Sequence, residues 1–310
     1  MLSELAALEL RRLSWTRVRK AVVALAEPFA EHDLLTYASA IAFQVLYAVV
    51  PLALLALAAL GLFGFQSVYT DHVAPTLRHD LSHDAFGIAD RTARRVMVTH
   101  RGFWLTIGLA VTIWGVGAAI RSTMTPLNAI YNRKESRSWL NRFLLSLGVA
   151  VLVIVLVFTA LGIVFATKLL HTGDISLEIL IVIGRWLAVA VLLLLAIAAI
   201  LRFVPDRKLP AAWVSIGSCL AAVCWIVTTI GFAAYVSSTS YSSFYGALAS
   251  VVLLLIYLHL AAIALLLGVV ADQQLKELLE RREAQLVARS RRSRASRRRS
   301  AGSRQPARRG

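Results

Sequence analysis

The sequence predicts an all-α, polytopic membrane protein with six transmembrane helices, on three observations. From Leu209 to Ala271, sixty-three consecutive residues carry no Lys, Arg, Asp or Glu, and the polar cluster from Ser237 to Ser243 interrupts them near the middle. Roughly 20 apolar residues, rising about 1.5 Å each, cross the ~30 Å hydrocarbon core, so this run is long enough to cross it twice. The 310 residues are 58% hydrophobic with a mean hydropathy of +0.71, against roughly 45–50% apolar content in soluble domains. Runs such as Leu192 to Leu195 and Val251 to Leu255 do not alternate with polar residues. They therefore exclude a closed barrel, the other structure that satisfies its backbone in lipid.

The chain opens with a cytoplasmic segment, residues 1–35. Leu10, Leu13, Trp15, Val18, Val22 and Leu25 recur there at helical spacing among Arg11, Arg12, Arg17, Arg19 and Lys20. That pattern describes an amphipathic helix in the interface, with Trp15 at headgroup depth and the basic residues on anionic lipid headgroups. The transmembrane domain, residues 36–271, follows the uncharged stretches, with spans at about 36–64, 103–121, 143–167, 179–201, 211–236 and 244–271. The first stretch has twenty-nine uncharged residues, too many for the roughly 7–15-residue core of a signal peptide, so it stays in the mature chain. Phe65 to Gly102 reads as a long outer loop. Pro51 and Pro126 are candidate kinks, although prolines are tolerated in membrane helices. Cys219 and Cys224 fall inside the fifth stretch, where thiols behave as small buried hydrophobes rather than as a disulfide or zinc site. No inverted repeat of the transporter kind is evident.

Residues 272–310 form a cytoplasmic tail. From Arg289 onward it holds ten arginines in twenty-two residues and no large apolar side chain, a composition that cannot bury a core and reads as disordered. Its charge suits anionic lipid headgroups. It lacks the interleaved aromatics on which bases stack, so nucleic acid is not the expected partner.

Charge also supplies an orientation. Lys and Arg number 26 on the side carrying both termini and 7 on the other, and the positive-inside rule then places both termini in the cytoplasm of a bacterial inner membrane. Arg91, Arg94, Arg95 and Arg101 in the outer loop are the discordant element, but long loops are translocated largely regardless of charge.

Within the spans there is no Asp or Glu except Glu178 and Asp272 at the edges, which weighs against coupling through an intramembrane carboxylate. Arg185 can snorkel to headgroups, Arg121 ends the second uncharged stretch, and His259 reads as a satisfied interior residue. In the outer loop, His79 and His83 stand one turn apart if residues 78–85 are helical, a spacing that can grip zinc. A solvated polar helix explains the pair equally well, so no metal or other cofactor is expected. Walker, dinucleotide and nucleophile-elbow patterns are absent, and the expectation is a protein without enzymatic activity.

Several blocks together look familiar. Tyr37-Ala38-Ser39-Ala40-Ile41-Ala42-Phe43 with Pro51-Leu52, Leu127-Asn128-x-x-Tyr131 and the basic stretch to Arg142, Val204-Pro205-Asp206, Tyr245-Gly246-Ala247-Leu248 and Leu266-Leu267-Gly268 occur in order over residues 20–275. They resemble the YihY/virulence factor BrkB family, once labelled ribonuclease BN. The resemblance implies a six-helix inner-membrane protein whose biochemical activity is not established. It also implies a carboxylate shortly after the last Leu-Gly, a place that Asp272 can fill in this chain. The ribonuclease label finds no nuclease constellation here.

Gln44, Tyr47, Asn128, Tyr235, Tyr245 and Asp272 put hydrogen-bonding groups in or beside the spans, where they must pair with one another or with a passenger. The leading expectation is therefore transport or the handling of a lipid or amphiphile. The alternative is a membrane scaffold that recruits acidic or nucleic-acid partners through its basic termini. Homo-oligomerisation is left open.

Overall fold

A computed structural model describes residues 27–80, 83–98, 101–169, 175–206, 216–238 and 251–278. The N-terminal amphipathic stretch, Tyr245 and the Arg-rich tail lie outside the described residues. Six helices are long and apolar enough to cross a membrane, and no strand occurs among the described residues. Span one is Leu34–Leu62, span two Arg101–Ile130, span three Trp139–Leu169, span four Ile175–Phe203 and span five Ile216–Ser238. Span six is Val251–Leu278.

Helical structure outlasts the uncharged stretches. Span two continues past Arg121 and through Pro126 to Ile130, because the polar residues there find partners at the bundle end, and Pro51 is likewise accommodated inside span one. Six crossings put the start of span one and the end of span six on the same end of the bundle. This basic end also carries Arg121, Arg133, Arg137, Arg142, Arg202 and Lys276.

Packing is uneven along the membrane normal. The main core gathers Leu34 and Ile41 of span one, Leu127 of span two, Val149 of span three, Leu201 of span four, Ala221 of span five and Leu266 of span six, all toward the basic end. Spans one and two make the most extensive pair and stay in contact over most of their length. Span four is the opposite case: no residue of its most apolar stretch is buried, against 33% in spans two and six. The bundle is thus tight at the basic end and loose on the side of spans three to five toward the far end.

Spans five and six approach most closely where neither has a side chain. A Cβ on Gly217 would overlap the Gly268 carbonyl oxygen and the Asp272 side chain, and one on Gly268 would overlap Ala221. Such small-residue crossings let membrane helices gain dispersion contact that lipid cannot supply.

The connection between spans one and two is not the long loop that its polar composition suggests. Span one ends with Gly64 in the left-handed region (φ 77) and Phe65 N–H donating to Leu60 O at 2.9 Å, a C-cap that needs no side chain. A π-helical turn at Tyr69–Val73 and helices at Ala74–Asp80 and His83–Val98 follow. Ala93 and Met97 of the last helix bury against Leu57 and Leu60 of span one, with Tyr69 between them. Tyr69 donates to Asp90 Oδ1 at 3.1 Å, and Arg94 Nε donates to Asp90 Oδ2 at 2.9 Å. Burial, reinforced by the Asp90 carboxylate, pushes the Tyr69 hydroxyl up to about 12, and the Arg94 hydrogen bond holds Asp90 below the usual carboxylate range.

The glycine crossing generates a direct test. Gly268→Leu should lower the unfolding midpoint in detergent, at a cost of about 1–3 kcal/mol or more from overpacking. Gly162→Leu, on span three with nothing within 4 Å of its Cβ position, should leave that midpoint nearly unchanged. Equal effects in circular-dichroism melts would contradict the crossing.

Candidate functional site

Two regions gather polar groups beside the spans: a clasp at the basic end and a cavity among spans three to five.

The clasp begins where span two stops. Asn132 takes the left-handed conformation (φ 51), and Arg133 N–H donates to Asn128 O at 2.8 Å, closing the helix as an αL C-cap. This turn aims the next residues back at the bundle. Asn128, 5% exposed, accepts from Asp206 N–H at 2.8 Å through Oδ1 and donates to Glu135 Oε2 at 2.9 Å through Nδ2. Arg137 donates from Nε to Glu135 Oε1 at 2.8 Å and from Nη2 to Val204 O at 2.7 Å, so a cation answers the carbonyls at the C-terminus of span four. Ser136 donates both its N–H and its hydroxyl to Asp206 Oδ2, at 2.7 and 2.6 Å. These bonds join the connection after span two to the connection after span four. The Ser136 hydroxyl, then its N–H, with Arg137 and Arg133 nearby, hold the Asp206 carboxyl below the usual carboxylate range against the opposing effect of burial.

Asp272 extends the clasp to span six. It is 3% exposed, accepts from the Tyr131 hydroxyl at 2.9 Å and forms an ion pair with Lys276. Two recesses flank the clasp. One, of about 420 Å³, is lined by Arg121, Thr125, Asn128, Arg133, Trp139 and Arg142 among others. Arg121 itself donates to Ser146 Oγ at 2.8 Å and lies over the rings of Trp114 and Phe143 at 5.7 and 5.2 Å. The other recess, of about 930 Å³, sits between spans three and four and is lined by Arg133, Arg137, Asn141, Leu144, Arg202 and Phe203 among others.

The cavity lies deeper. It measures about 740 Å³ and is walled by aliphatic residues of spans three, four and five, including Val153, Ala160, Ala190, Ile200 and Ala233. Its polar lining groups are the indoles of Trp186 and Trp225 and the hydroxyls of Thr229 and Tyr257. Trp225 Nε1 donates to Tyr257 Oη at 2.9 Å, and Thr229 Oγ1 is 3.0 Å from the same oxygen. Among the described residues no carboxylate, Lys or Arg lines it.

The residues singled out by sequence separate accordingly. Asn128 and Asp272 are brought to one end, and both spend their polar atoms on ties between helices. Gln44 is half-buried on span one, while Tyr47 is 63% exposed and packs edge-to-face on Phe43 at 4.8 Å. Tyr235 is 54% exposed beyond the cavity, 6.2 Å from Phe232. His79 and His83 fall on separate helices, Ala74–Asp80 and His83–Val98, with residues 81–82 between them and both side chains outside the described residues. Among the described residues no cluster of three metal-ligating side chains occurs. Arg185 lies over the Trp186 ring at 5.6 Å. Sequence reasoning missed Trp225, although its i, i+4 spacing to Thr229 was a usable sign of a shared face. It also missed Glu135, which joins Asn128 to Arg137, and Arg137 itself, whose carbonyl partners on span four are distant in sequence.

Comparison with known proteins gives a consistent picture. Residues 25–293 match the family described as virulence factor BrkB. The ribonuclease-like protein YfkH of Bacillus subtilis is 24% identical over 218 residues, 67% of this chain and 79% of that protein. UPF0761 membrane protein Smlt0865 of Stenotrophomonas maltophilia is 27% identical over 251 residues, 77% of this chain, and the match spans 57% of that relative's length. UPF0761 membrane protein VV1_0885 of Vibrio vulnificus is 27% identical over 257 residues, 81% of this chain and 80% of that protein. No solved structure matches.

The Asp206 geometry fixes the sign of a pH effect. A carboxyl held low in the folded state adds stability that is fully present above its unfolded pKa of about 3.9 and is lost as pH falls through the folded value. The stability gap between wild type and Asp206→Asn should therefore be constant above about pH 5, near 1–3 kcal/mol, and should close as pH falls below about 4. A gap unchanged down to pH 3 in thermal melts would contradict the assigned bonds.

Proposed function

This chain belongs to the virulence factor BrkB family, and we propose that its function there is to take up the apolar chains of an amphiphile in the cleft bounded by spans three, four and five. The observation that carries this reading is the cavity of about 740 Å³ with its small polar group at Trp225, Thr229 and Tyr257. Ligand pockets of roughly 300–1,000 Å³ with apolar walls and a few placed polar groups are the usual form of small-molecule sites. A passenger without apolar chains would gain nothing from these walls. Chains of a lipid or amphiphile would exchange one apolar environment for another, with the hydroxyl of Tyr257 offering a specific contact.

The reading is one of binding and movement rather than catalysis. Among the described residues the cavity lining offers no carboxylate, Lys, His or Cys, and passage would run down the passenger's own gradient. In this reading the protein sits in the bacterial inner membrane with the basic end in the cytoplasm, supported by the 26 to 7 distribution of Lys and Arg. The basic residues flanking the bundle then rest on anionic headgroups.

A thermal-stability screen of the detergent-solubilised protein against lipids and single-chain amphiphiles tests the proposal. A ligand at a hundred times its Kd should stabilise the wild type by about 2.7 kcal/mol. Ala190→Trp, which fills the cavity, should abolish that response, and Tyr257→Phe should weaken binding several-fold while leaving the volume intact. A wild-type response in the filled variant would contradict the assignment.

A further inference from the structure

A separate recess lies on spans three and four toward the basic end. The recess of about 930 Å³ is bounded by Leu144, Leu145, Arg202 and Phe203, and the apolar cavity is bounded by Val153 and Ile200 of the same two spans. Eight residues along span three and two along span four separate the two linings, roughly 12 and 3 Å at 1.5 Å per residue. The two are close enough for one molecule of lipid length to reach both, with its head between the ends of spans three and four and its chains toward Trp225.

The basic-end recess is chosen for charge. Among the described residues, Arg133, Arg137 and Arg202 line it with the carboxylate Asp206, and Arg137 is already paired with Glu135. The Arg202 guanidinium lies over the Phe203 ring at 5.9 Å, and the Asn141 amide adds a neutral hydrogen-bonding group. Depth agrees with this. Trp139, 69% exposed and stacked on Phe143 at 5.5 Å, stands at the start of span three, where interfacial Trp residues mark the headgroup level. Asn141 and Leu144 come within two turns of it. Guanidinium groups recognise phosphate oxygens through paired, charge-assisted hydrogen bonds.

We infer that the passenger is a phosphate-bearing anionic lipid whose headgroup docks in the recess at Arg133 and Arg202 while its chains lie in the cavity among spans three to five. The inference rests on the proposed amphiphile reading and adds a head chemistry to it.

The test measures binding of phosphatidylglycerol and phosphatidylcholine with identical chains to the full-length protein in detergent, with inorganic phosphate as a third arm. Phosphatidylglycerol should bind about tenfold or more tightly than phosphatidylcholine, and Arg133→Gln with Arg202→Gln should bring the ratio near one, phosphatidylglycerol losing more affinity than phosphatidylcholine, whose choline already offsets the charge of its phosphate. Arg137 is left intact because it ties the clasp. Should the double variant fail to fold, the wild type still decides: raising salt from about 0.05 to 0.5 M should erase the preference through screening. Equal binding of the two lipids would overturn the head assignment and leave the cavity reading standing. Inorganic phosphate stabilising as well as phosphatidylglycerol would overturn the lipid assignment. Binding of neither lipid would overturn the cavity reading, and this inference with it.

Discussion

Asn128 bonds in two directions at once, to the Asp206 amide and to the Glu135 carboxylate, and the disposition of the six spans depends on that junction. A polar group withdrawn from water without a partner costs several kcal/mol in an apolar medium. At the basic end the withdrawn groups answer one another. Arg137 takes Glu135 and the final carbonyls of span four, Ser136 takes Asp206, and Tyr131 and Lys276 take Asp272. The bonds of Asn128 and Ser136 to Asp206, of Arg137 to Val204 and of Tyr131 to Asp272 connect elements far apart in sequence and fix these helix ends relative to one another. The Gly217–Gly268 crossing beneath Asp272 brings span five into the same junction.

A bundle secured at one end is free to diverge at the other. Spans one and two remain paired across the membrane, and the helix His83–Val98 covers their far end, with Met97 packed over Gly61. On the other side the cavity opens between spans three, four and five. Rigidity and access are thus divided between two sides of one small protein. A molecule entering sideways from the bilayer would meet apolar walls, then the hydroxyls near Tyr257, and then arginines at headgroup depth.

Much of this was legible in the sequence because the bilayer sets a length and expels charge. The six spans followed from uncharged runs, and the resemblance blocks around Asn128, Asp206 and Gly268 prove to meet in space at the basic end. Asp272, marked as the carboxylate that follows the last Leu-Gly, proves to be a tie between spans two and six. What escaped reading had a physical reason. The far-end helix buries Ala93, Val96 and Met97 at helical spacing, but the surrounding Arg and Asp residues lowered its hydropathy until it resembled a loop. The cavity was invisible because Ala, Val and Leu line a cleft and face lipid equally well, so periodicity cannot separate the two. Glu135 and Arg137 read as ordinary charges of a basic connection until the partners of Arg137 near residue 204 were known.

The account turns on the cleft among spans three to five being an occupied feature of the protein in a membrane. Electron cryomicroscopy of the full chain in nanodiscs of bacterial lipids tests this most directly. Elongated density should lie between spans three, four and five, running from Tyr257 and Trp225 toward the Arg133 and Arg202 side chains, with the Asn128–Asp206–Arg137 junction intact below it. Spans three to five closed on one another, with Val153 against Ala233 and no density between them, would contradict the account.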